Sequence, residues 1–596
     1  MEKKWNNIKK LGFMGLMGLM GFMQSGCTDF LEVEPQNEII LEKFWTDKND
    51  VHSIITGCYS AFRSDANIKR MMIWGEFRSD NIYKGNNTSS DGDLEKILVE
   101  NIDAKNGYTT WDGFYDVINR CNTVIYYAPQ VAAKDPAYTQ SELKADIAEV
   151  TALRSLAYFY LIRTFRDVPY SSEAFIDDSQ KMDLPATPFY DVLDSLINSL
   201  EAVKDDAIRR YPEDTPLYQT GRITQDAIHA MLCEMYLWKK DYDNCIKYAD
   251  LVIESKKKIG EENRKKSADY SSTSEGSTPF ELTNGYPLIP SQDNGSIFGR
   301  AYELLFGQDT YAERNMQEII FQFVVDDGNA SRGIQSNGAV NSFYGNASSR
   351  VGLVAPSQFL LDEPDAALSG RKVFSGSNKK MDARMYENYS YKDKCITKFT
   401  NRSISIDATT ASPKATYSSL YTNNQNASNW VIYRLTDIML LKAEALSQKL
   451  IEGSDEELVA YNKPILDEAF SLVNAVNKRS VCQTKAQLRD TLVRTDYNSK
   501  TAMEDLVYKE RQRELMFEGK RWYDLVRLSQ RLGNTIDITK AALDKAQTST
   551  ELISNKLKRM EAIYWPYYYE EVKVNKNLVQ NPAFNSGEDT NYKKNY

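Results

Sequence analysis

Apolar residues recur at intervals of three and four positions through most of the first 250 residues of this 596-residue chain. This spacing is typical of amphipathic helices that turn one apolar face toward a core. One such face contains Trp111, Tyr115 and Ile118. The same period returns over about 431–532. The pattern therefore predicts a chain that is helical toward both ends.

Residues 228–253 contain two helical patterns separated by a polar turn. Large residues of the first helix, such as Leu232 and Tyr236, are placed to face small residues of the second, such as Cys245 and Ala249. This arrangement resembles the helix pair of a tetratricopeptide repeat. Any antiparallel helical hairpin would give a similar pattern, and the spacing favours the repeat.

Three stretches of the middle of the chain have no helical period, namely 256–300, 326–350 and 400–429. They are rich in Gly, Asn, Ser and Thr, a composition typical of loops and short strands. Long loops inside a compact domain are uncommon unless they serve a function. We therefore expect a binding site in this irregular middle.

The N-terminal segment has the composition of an export signal. Lysines are followed by an uncharged stretch over 11–23, which is shorter than the roughly 20 residues that span a bilayer. Ser25, Gly26 and Cys27 then resemble the bacterial lipobox. That resemblance implies a diacylglycerol thioether and an acylated amine on Cys27 after removal of 1–26. The alternative is an ordinary secretory signal followed by a chance cysteine.

The formal charge of −10 argues against nucleic acid as a partner, because binding phosphate needs clustered Lys and Arg.

No later stretch of the sequence is apolar enough to cross a membrane, so we expect the lipid alone to hold the protein at the membrane. With 42% hydrophobic residues, the chain can bury a large core.

Cysteine and histidine usage offers little chemistry. The six cysteines outside the lipobox have no spacing that indicates disulfides or a metal site, and we expect buried free thiols. Only His52 and His229 are present, far apart in the sequence. We find no zinc-binding, nucleophile-elbow or phosphate-loop motif. We therefore predict no catalytic residue, no metal and no cofactor.

The segment ERQRELMFEGKRWYDLVR at 510–527 resembles the C-terminal signature of the SusD/RagB family of outer-membrane nutrient-binding lipoproteins. The stretch TDFLEVEPQ, directly after Cys27, agrees with the same family. Four further stretches agree in order along the chain, at 111–125, 152–170, 433–446 and 563–584. One departure from the family pattern is Arg166, where a small glycine is usual.

The charges of this signature predict a structural role. Glu510, Glu514 and Glu518 are four residues apart on one helix face, with Arg511 and Arg513 between them. Paired carboxylates can act as general acid and base. Here each carboxylate has an arginine within a turn, which lowers its pKa. We therefore predict a buried ion-pair lattice in preference to catalysis.

Other residues of the same region predict the ends of its helices. Thr501 and Glu504 have the spacing of a capping box that would start a helix. Gly519 is expected to break that helix. Arg521 and Asp524 continue the charge pattern, and we expect them to support the fold.

The resemblance implies a mostly α fold: a tetratricopeptide-like helical superhelix with a loop-rich irregular ligand-binding region. It divides the chain into four regions. These are a lipoprotein signal peptide at 1–26, an N-terminal helical region at 27–255, the irregular region at 256–430, and a C-terminal helical region with an extended tail at 431–596.

The resemblance also implies a function. Family members are lipid-anchored at the outer membrane, exposed on the cell surface, and bind an oligosaccharide without cleaving it. They deliver it to a TonB-dependent SusC-like barrel transporter and act as its lid. Two alternatives remain: a secreted surface glycoside hydrolase, which needs only a pair of carboxylates, and a peptide-binding member of the same family.

Glycan binding needs aromatic faces against the sugar C–H groups and polar side chains for the hydroxyls. The ligand loop of the family follows an Asp-Asn pair, which corresponds here to positions 80 and 81. For each single candidate, packing in a core or loop is the competing role. The candidate ligand-binding residues are Asp80, Asn81, Tyr83, Asn86, Asn87, Tyr302, Tyr311, Phe343 and Tyr344.

Overall fold

A computed structural model describes most of the chain between positions 44 and 584. The stretches inside that span to which the description does not extend are 178, 271–282, 290–291, 295–296, 307–314, 327–334, 362–372, 375–381, 401–403, 408–413, 418–421, 423–424, 483–491 and 546–549. The chain divides into two compact units, Met1–Thr46 and Asp47–Tyr596, and the second is described below. Cys27 and Tyr311 lie outside the described residues.

The N-terminal part of this unit is helical. Its helices are α1 (Lys48–Phe62), α2 (Asp65–Met72), α3 (Gly92–Leu98), α4 (Asp112–Ala132), α5 (Gln140–Phe165), α6 (Phe189–Val203), α7 (Tyr218–Gly221), α8 (Gln225–Lys239) and α9 (Tyr242–Tyr270). Helix α4 packs on α1 and α5, and α8 packs on α9 as the predicted hairpin. A π-helical turn, Ile73–Phe77, continues α2.

Helix α5 lies at the centre of this part. It begins with a capping box, in which the Thr139 hydroxyl accepts from the Glu142 N–H and the Glu142 carboxylate accepts from the Thr139 N–H. From Ala148 to Phe165 every side chain is buried. A helix buried all round has neighbours on every side, so α5 forms part of the core on which the flanking helices pack.

The C-terminal part is also helical. Its helices are α14 (Leu435–Lys449), α15 (Glu456–Ser480), α16 (Lys500–Leu515), α17 (Arg521–Leu532), α18 (Ile536–Lys545), α19 (Thr550–Leu557) and α20 (Tyr569–Val574). Helices α14, α15 and α16 enclose one apolar cluster, which includes Leu440, Val473 and Leu506. Helix α14 also packs on α9, so the two helical parts share a core.

Between them lie short elements. The helices are α10 (Arg300–Phe306), α11 (Gly338–Tyr344), α12 (Gln358–Leu361) and α13 (Arg384–Glu387). The strands of the described residues are β1 (Ile82–Lys84), β2 (Val168–Pro169), β3 (Ala186–Thr187), β4 (Gln292–Asn294), β5 (Ile297–Phe298), β6 (Ile319–Phe323), β7 (Val354–Pro356), β8 (Tyr389–Ser390), β9 (Cys395–Ile396), β10 (Ile404–Asp407), β11 (Lys414–Tyr417) and β12 (Trp430–Arg434).

These strands form small antiparallel sheets. Strands β4, β5, β10 and β11 make a four-stranded sheet in the order β11-β10-β5-β4, while β1 pairs with β7 and β6 with β12. The zones at 256–300 and 400–429 thus contain short strands, as predicted, whereas the described part of the zone at 326–350 contains the helix α11. The predicted mostly α fold is confirmed, with helices toward both ends and an irregular middle.

The loss of helical period predicted from residue 256 begins later. Helix α9 continues to Tyr270, and Lys256 is 4% exposed within it. The Lys256 ammonium donates to the carbonyl oxygens of Met316 and Ile319, each at 3.0 Å. Lys256 suggested the start of a solvent-exposed zone, but its ammonium instead supplies hydrogen bonds to carbonyl groups inside the protein. The predicted boundary at 255/256 lies inside this helix, and the one at 430/431 lies inside β12.

The predicted start of the signature helix is wrong by two residues. Helix α16 begins at Lys500, and the Ser499 hydroxyl accepts from the Ala502 N–H as its N-cap. Glu504 instead accepts from the Gln448 amide. Serine caps a helix as well as threonine does. The sequence spacing alone therefore did not distinguish a helix capped by Ser499 from one capped by Thr501.

Candidate functional site

Tyr83 lies in the short strand β1, at the surface of the irregular middle. Strand β1 pairs with β7 in antiparallel register, with Tyr83 opposite Ala355. Side chains alternate between the two faces of a strand, so Ile82 points into the core and Tyr83 is half-buried. The strand thus holds one aromatic side chain partly open to solvent on a fixed backbone.

A tight turn follows this strand. The Gly85 N–H donates to the Leu353 carbonyl at 3.1 Å, and a Cβ atom at Gly85 would lie 2.4 Å from the Gly352 carbonyl oxygen. Only glycine allows this approach of two backbones. Asn86 and Asn87 are exposed, and Asn87 adopts φ 59°, a left-handed conformation that asparagine tolerates. The turn therefore presents two amide side chains to solvent beside Tyr83.

A second loop adjoins this turn. Gly345 and Gly352 lie so close that a Cβ atom at Gly352 would be 2.6 Å from the Gly345 nitrogen, so the loop between them closes on itself. It carries Asn346 and the exposed Arg350, whose guanidinium is 3.0 Å from Asp393. The sequence analysis did not select Asn346 and Arg350. Their position beside a Gly-flanked loop in the irregular middle is the signal that could have found them.

The surface formed by Tyr83, Asn86, Asn87, Asn346 and Arg350 is called the Tyr83 surface below. It offers one aromatic side chain on strand β1, and three amides and one cation on two adjoining loops. Amides both donate and accept, which suits the paired donor and acceptor character of sugar hydroxyls.

Asp80 and Asn81 lie beneath the strand, with exposures of 4% and 0%. The Asp80 carboxylate accepts two hydrogen bonds of 3.0 Å from Arg521. The Asn81 amide donates to Glu76 and accepts from Gln512, each at 2.8 Å. In this structure both side chains connect distant parts of the chain and do not face solvent.

The aromatic candidates of the middle region are also buried. The exposed fraction is 3% for Tyr302 and 0% for both Phe343 and Tyr344. The Tyr302 hydroxyl donates to the Glu514 carbonyl at 3.2 Å, and that of Tyr344 donates to the Phe517 carbonyl at 2.8 Å. Tyr302 and Tyr344 therefore bind the C-terminal signature, whereas the Phe343 ring packs on Phe77, with 5.0 Å between ring centroids. Of the predicted ligand-binding residues that the structure describes, Tyr83, Asn86 and Asn87 are the ones that reach the surface.

The signature carboxylates form the predicted ion-pair lattice. Arg384 Nη1 lies 2.7 Å from Glu510 and 3.0 Å from Glu514. Arg434 lies 2.6 Å from Glu514 through Nη1 and 2.7 Å from Glu518 through Nη2. All five side chains are buried. The prediction of a buried lattice is confirmed, but its arginines Arg384 and Arg434 come from outside the signature.

The arginines keep these carboxylates ionised. Burial alone would raise the pKa of Glu514, but Arg479, Arg434 and Arg384 hold that pKa well below its usual range. Burial would likewise raise the pKa of Glu510, and Arg384 outweighs it, so the pKa is lowered. A general acid needs a raised pKa, so these two carboxylates are suited to holding the fold.

A second network of buried ion pairs connects helix α16 to helix α17. Arg511 lies 2.9 Å from Asp524 and 2.9 Å from Asp437. Arg527 lies 2.8 Å from Asp524 and 2.7 Å from Glu444. Asp524 thus bridges two arginines of α16 and α17, as its predicted role in the fold requires.

Other candidate chemistry is limited. The six cysteines of the described chain are buried free thiols, as predicted. Among the residues that the structure describes, no group of three His, Cys, Asp or Glu side chains is placed to hold a metal ion. Within the same residues, no helix is both long and apolar enough to cross a membrane.

Comparison with known proteins identifies relatives of this chain. The model of the SusD family matches residues 314–584. SusD-like protein P38 of Formosa agariphila is 26% identical over 581 residues, which cover 94% of this chain and 96% of that protein. Both matches include the signature at 510–527.

Solved structures share the fold. A SusD superfamily protein of Bacteroides thetaiotaomicron superposes with a TM-score of 0.57 at 19% identity, covering 91% of this chain and 99% of that one. The surface glycan-binding protein A of the same species, solved in complex with laminarihexaose, gives a TM-score of 0.55 at 17% identity, covering 90% and 100%. At these identities the likeness concerns the fold, which is a tetratricopeptide-like helical architecture.

Proposed function

Because this chain is identified as a member of the SusD family, we propose that it is a surface glycan-binding lipoprotein that captures an oligosaccharide. It holds the glycan without cleaving it and delivers it to a TonB-dependent SusC-like barrel, over which it acts as a lid. The observation that carries this proposal is the Tyr83 surface on a rigid helical scaffold.

The Tyr83 surface suits a neutral sugar chain. The half-buried ring of Tyr83 stands on a paired strand and can pack on the C–H face of a sugar. The exposed amides of Asn86 and Asn87 lie at the next turn, within the same loop. In this arrangement the Tyr83 ring supplies the contact area with the sugar, and the two amides supply hydrogen bonds to its hydroxyl groups.

Binding to Tyr83 is tested by calorimetry on the purified chain. Laminarihexaose is the first probe, since a structural relative was solved with it, followed by a panel of host and plant oligosaccharides. Tyr83→Ala should weaken binding by about 1–3 kcal/mol, the cost of losing a stacked ring. Tyr461→Ala, at an exposed tyrosine of α15, is the matched control and should bind as wild type. Equal binding by wild type and both variants would remove the site from this surface.

The transporter and lid are tested by isolation from membranes. Mild detergent should release this chain in complex with a TonB-dependent barrel, through an interface of the broad type that stable assemblies use. Deleting the gene should impair uptake of one glycan while its extracellular cleavage continues. Recovery of the chain alone, together with product release by the purified chain, would favour the hydrolase.

A further inference from the structure

A pocket of about 700 Å³ lies at the end of α5, among residues that the Tyr83 surface does not share. Phe165, Tyr564 and Tyr567 contribute its buried aromatic wall, and Tyr190, 44% exposed, lies at its opening. Its volume is within the range of pockets that hold small ligands. The pocket thus combines apolar faces with access from solvent.

Arg166 lines this pocket in a strained backbone conformation. Its φ is 71° and its ψ is −77°, and the Asp167 N–H donates to the Phe165 carbonyl at 3.1 Å. These are the features of the classic γ-turn, which is rare and strained for a residue with a Cβ atom. Glycine would adopt this turn at lower cost. The chain therefore retains an arginine where the backbone favours glycine.

The surrounding residues fix this turn. The Tyr567 hydroxyl donates to the Asp167 carbonyl at 2.5 Å, and the Asp167 carboxylate accepts from the Phe189 N–H at 2.9 Å. Arg166 Nη1 lies 3.1 Å from the same carboxylate. Strained residues that are held by their neighbours cluster at ligand-binding sites. The position of Arg166 at the pocket wall is such a case.

The pocket is also more cationic than the rest of the protein. Four cationic side chains and two carboxylates line it, whereas the chain as a whole carries −10. Lys240 is one of these cations and lies at the C-terminus of α8, where the helix dipole already favours a positive charge. The helix dipole therefore explains Lys240, and Arg559 pairs with Glu561 at 4.0 Å. Arg166 differs from both because its charge is carried on a strained turn.

We propose that this pocket is a second binding site, which takes a sugar unit carrying a carboxylate or a sulfate group. Arg166 receives the anion, since a guanidinium has five N–H donors and matches such groups in a fork. The exposed ring of Tyr190 packs against the sugar face. The choice of a saccharide rests on the proposed function, while the preference for an anion rests on the charges of the pocket.

The test is calorimetry on the full mature chain with three probes. Digalacturonic acid supplies a carboxylate, galactose 6-sulfate supplies a sulfate, and lactose is the neutral control. Wild type should bind at least one acidic probe, with affinity that falls as salt rises, and should prefer it to lactose. Arg166→Gly should weaken that binding at least tenfold without lowering the melting temperature, because glycine relieves the strained turn.

Two further variants make the test specific. Lys240→Gly, at a second left-handed position with φ 66°, should weaken binding in the same direction. Arg120→Ala removes an exposed arginine outside the pocket, paired with Asp116 at 2.9 Å, and should bind as wild type. Absence of binding by wild type to both acidic probes, or equal binding by wild type and Arg166→Gly, would overturn the proposal. Neither result bears on Tyr83, whose test uses a neutral glycan.

Discussion

Arg521 and Asp80, 441 positions apart in the sequence, form a buried two-point ion pair. Nε of Arg521 lies 3.0 Å from Oδ1 of Asp80, and Nη2 lies 3.0 Å from Oδ2. Glu76 adds a second link between the same segments by accepting from the Phe517 N–H at 3.0 Å. The segment that carries the Tyr83 surface is thereby fixed to the C-terminal signature.

Arg521→Ala should destabilise the protein by about 3–5 kcal/mol, because it leaves the Asp80 carboxylate buried without its partner. Urea unfolding of the mature chain measures this loss. Arg120→Ala, in an exposed pair with Asp116, is the control and should cost less than about 1 kcal/mol. An Arg521→Ala protein that unfolds like wild type but no longer binds glycan would show that Arg521 belongs to a binding site.

Gly75→Ala should destabilise the fold by more than about 3 kcal/mol, at the upper end of single substitutions. A Cβ atom at Gly75 would lie 1.9 Å from the Gly519 carbonyl oxygen, and both groups belong to backbone that cannot rotate away. Thermal unfolding should show the loss. Gly92→Ala is the matched control, since its Cβ atom would have nothing within 4 Å. Equal melting temperatures for the two variants would contradict the close contact.

Glu76 should make stability depend on pH. Burial raises its pKa from 4.5 to about 7, although hydrogen bonds from Asn81 and from backbone N–H groups oppose that rise. The folded protein therefore binds this proton more tightly than the unfolded chain. Between pH 4.5 and 7 stability should fall as the pH rises, by at most roughly 3 kcal/mol.

Glu76→Gln isolates this contribution, since an amide does not titrate. The stability of wild type relative to the variant should fall from pH 4.5 to pH 8, as measured by urea unfolding across that range. Glu457→Gln, at an exposed position of α15, is the control and should follow wild type at every pH. A constant difference between wild type and Glu76→Gln would show that Glu76 keeps an ordinary pKa in the fold.

Cys27→Ser should release the protein from membranes, because we propose that Cys27 carries the lipid that anchors it. Fractionation of cells and metabolic labelling with a fatty acid measure the two effects together. Ser25→Ala, which keeps a small residue before the cysteine, is the control and should stay labelled and membrane-bound. A Cys27→Ser protein that stays in the membrane fraction would point to another anchor.

The sequence allowed the local features of the fold to be predicted. The hairpin of α8 and α9 follows from periodicity. The sequence also indicated that Glu514 belongs to a buried ion-pair lattice, but its partner Arg434 is 80 positions away, whereas the neighbouring Arg511 pairs with other carboxylates. Buried thiols such as Cys233 follow from their position in apolar helical patterns. The predictions of the hairpin and of the thiols depend on residues that are close together in the sequence, whereas the partners in the lattice do not.

The features of the fold and of the candidate site that the sequence did not predict depend on contacts between residues that are far apart in the sequence. Asp80 looked like the start of a ligand loop, but its partner is Arg521. Tyr344 belongs to a Gly- and Asn-rich zone that suggested an exposed ring, yet its hydroxyl reaches the Phe517 carbonyl. The strained turn at Arg166 could be suspected from its departure from glycine, but the pocket beside it could not. Periodicity and composition do not report which distant segments meet.

The central claim is that this protein captures a glycan and leaves it intact. The most direct measurement is to incubate the purified mature chain with the glycan that binds most tightly and then to recover the glycan and measure its length and reducing ends. The account predicts saturable binding and recovery of glycan of unchanged length, with no new reducing ends. Shortened glycan, or the absence of saturable binding to every glycan tested, would contradict it.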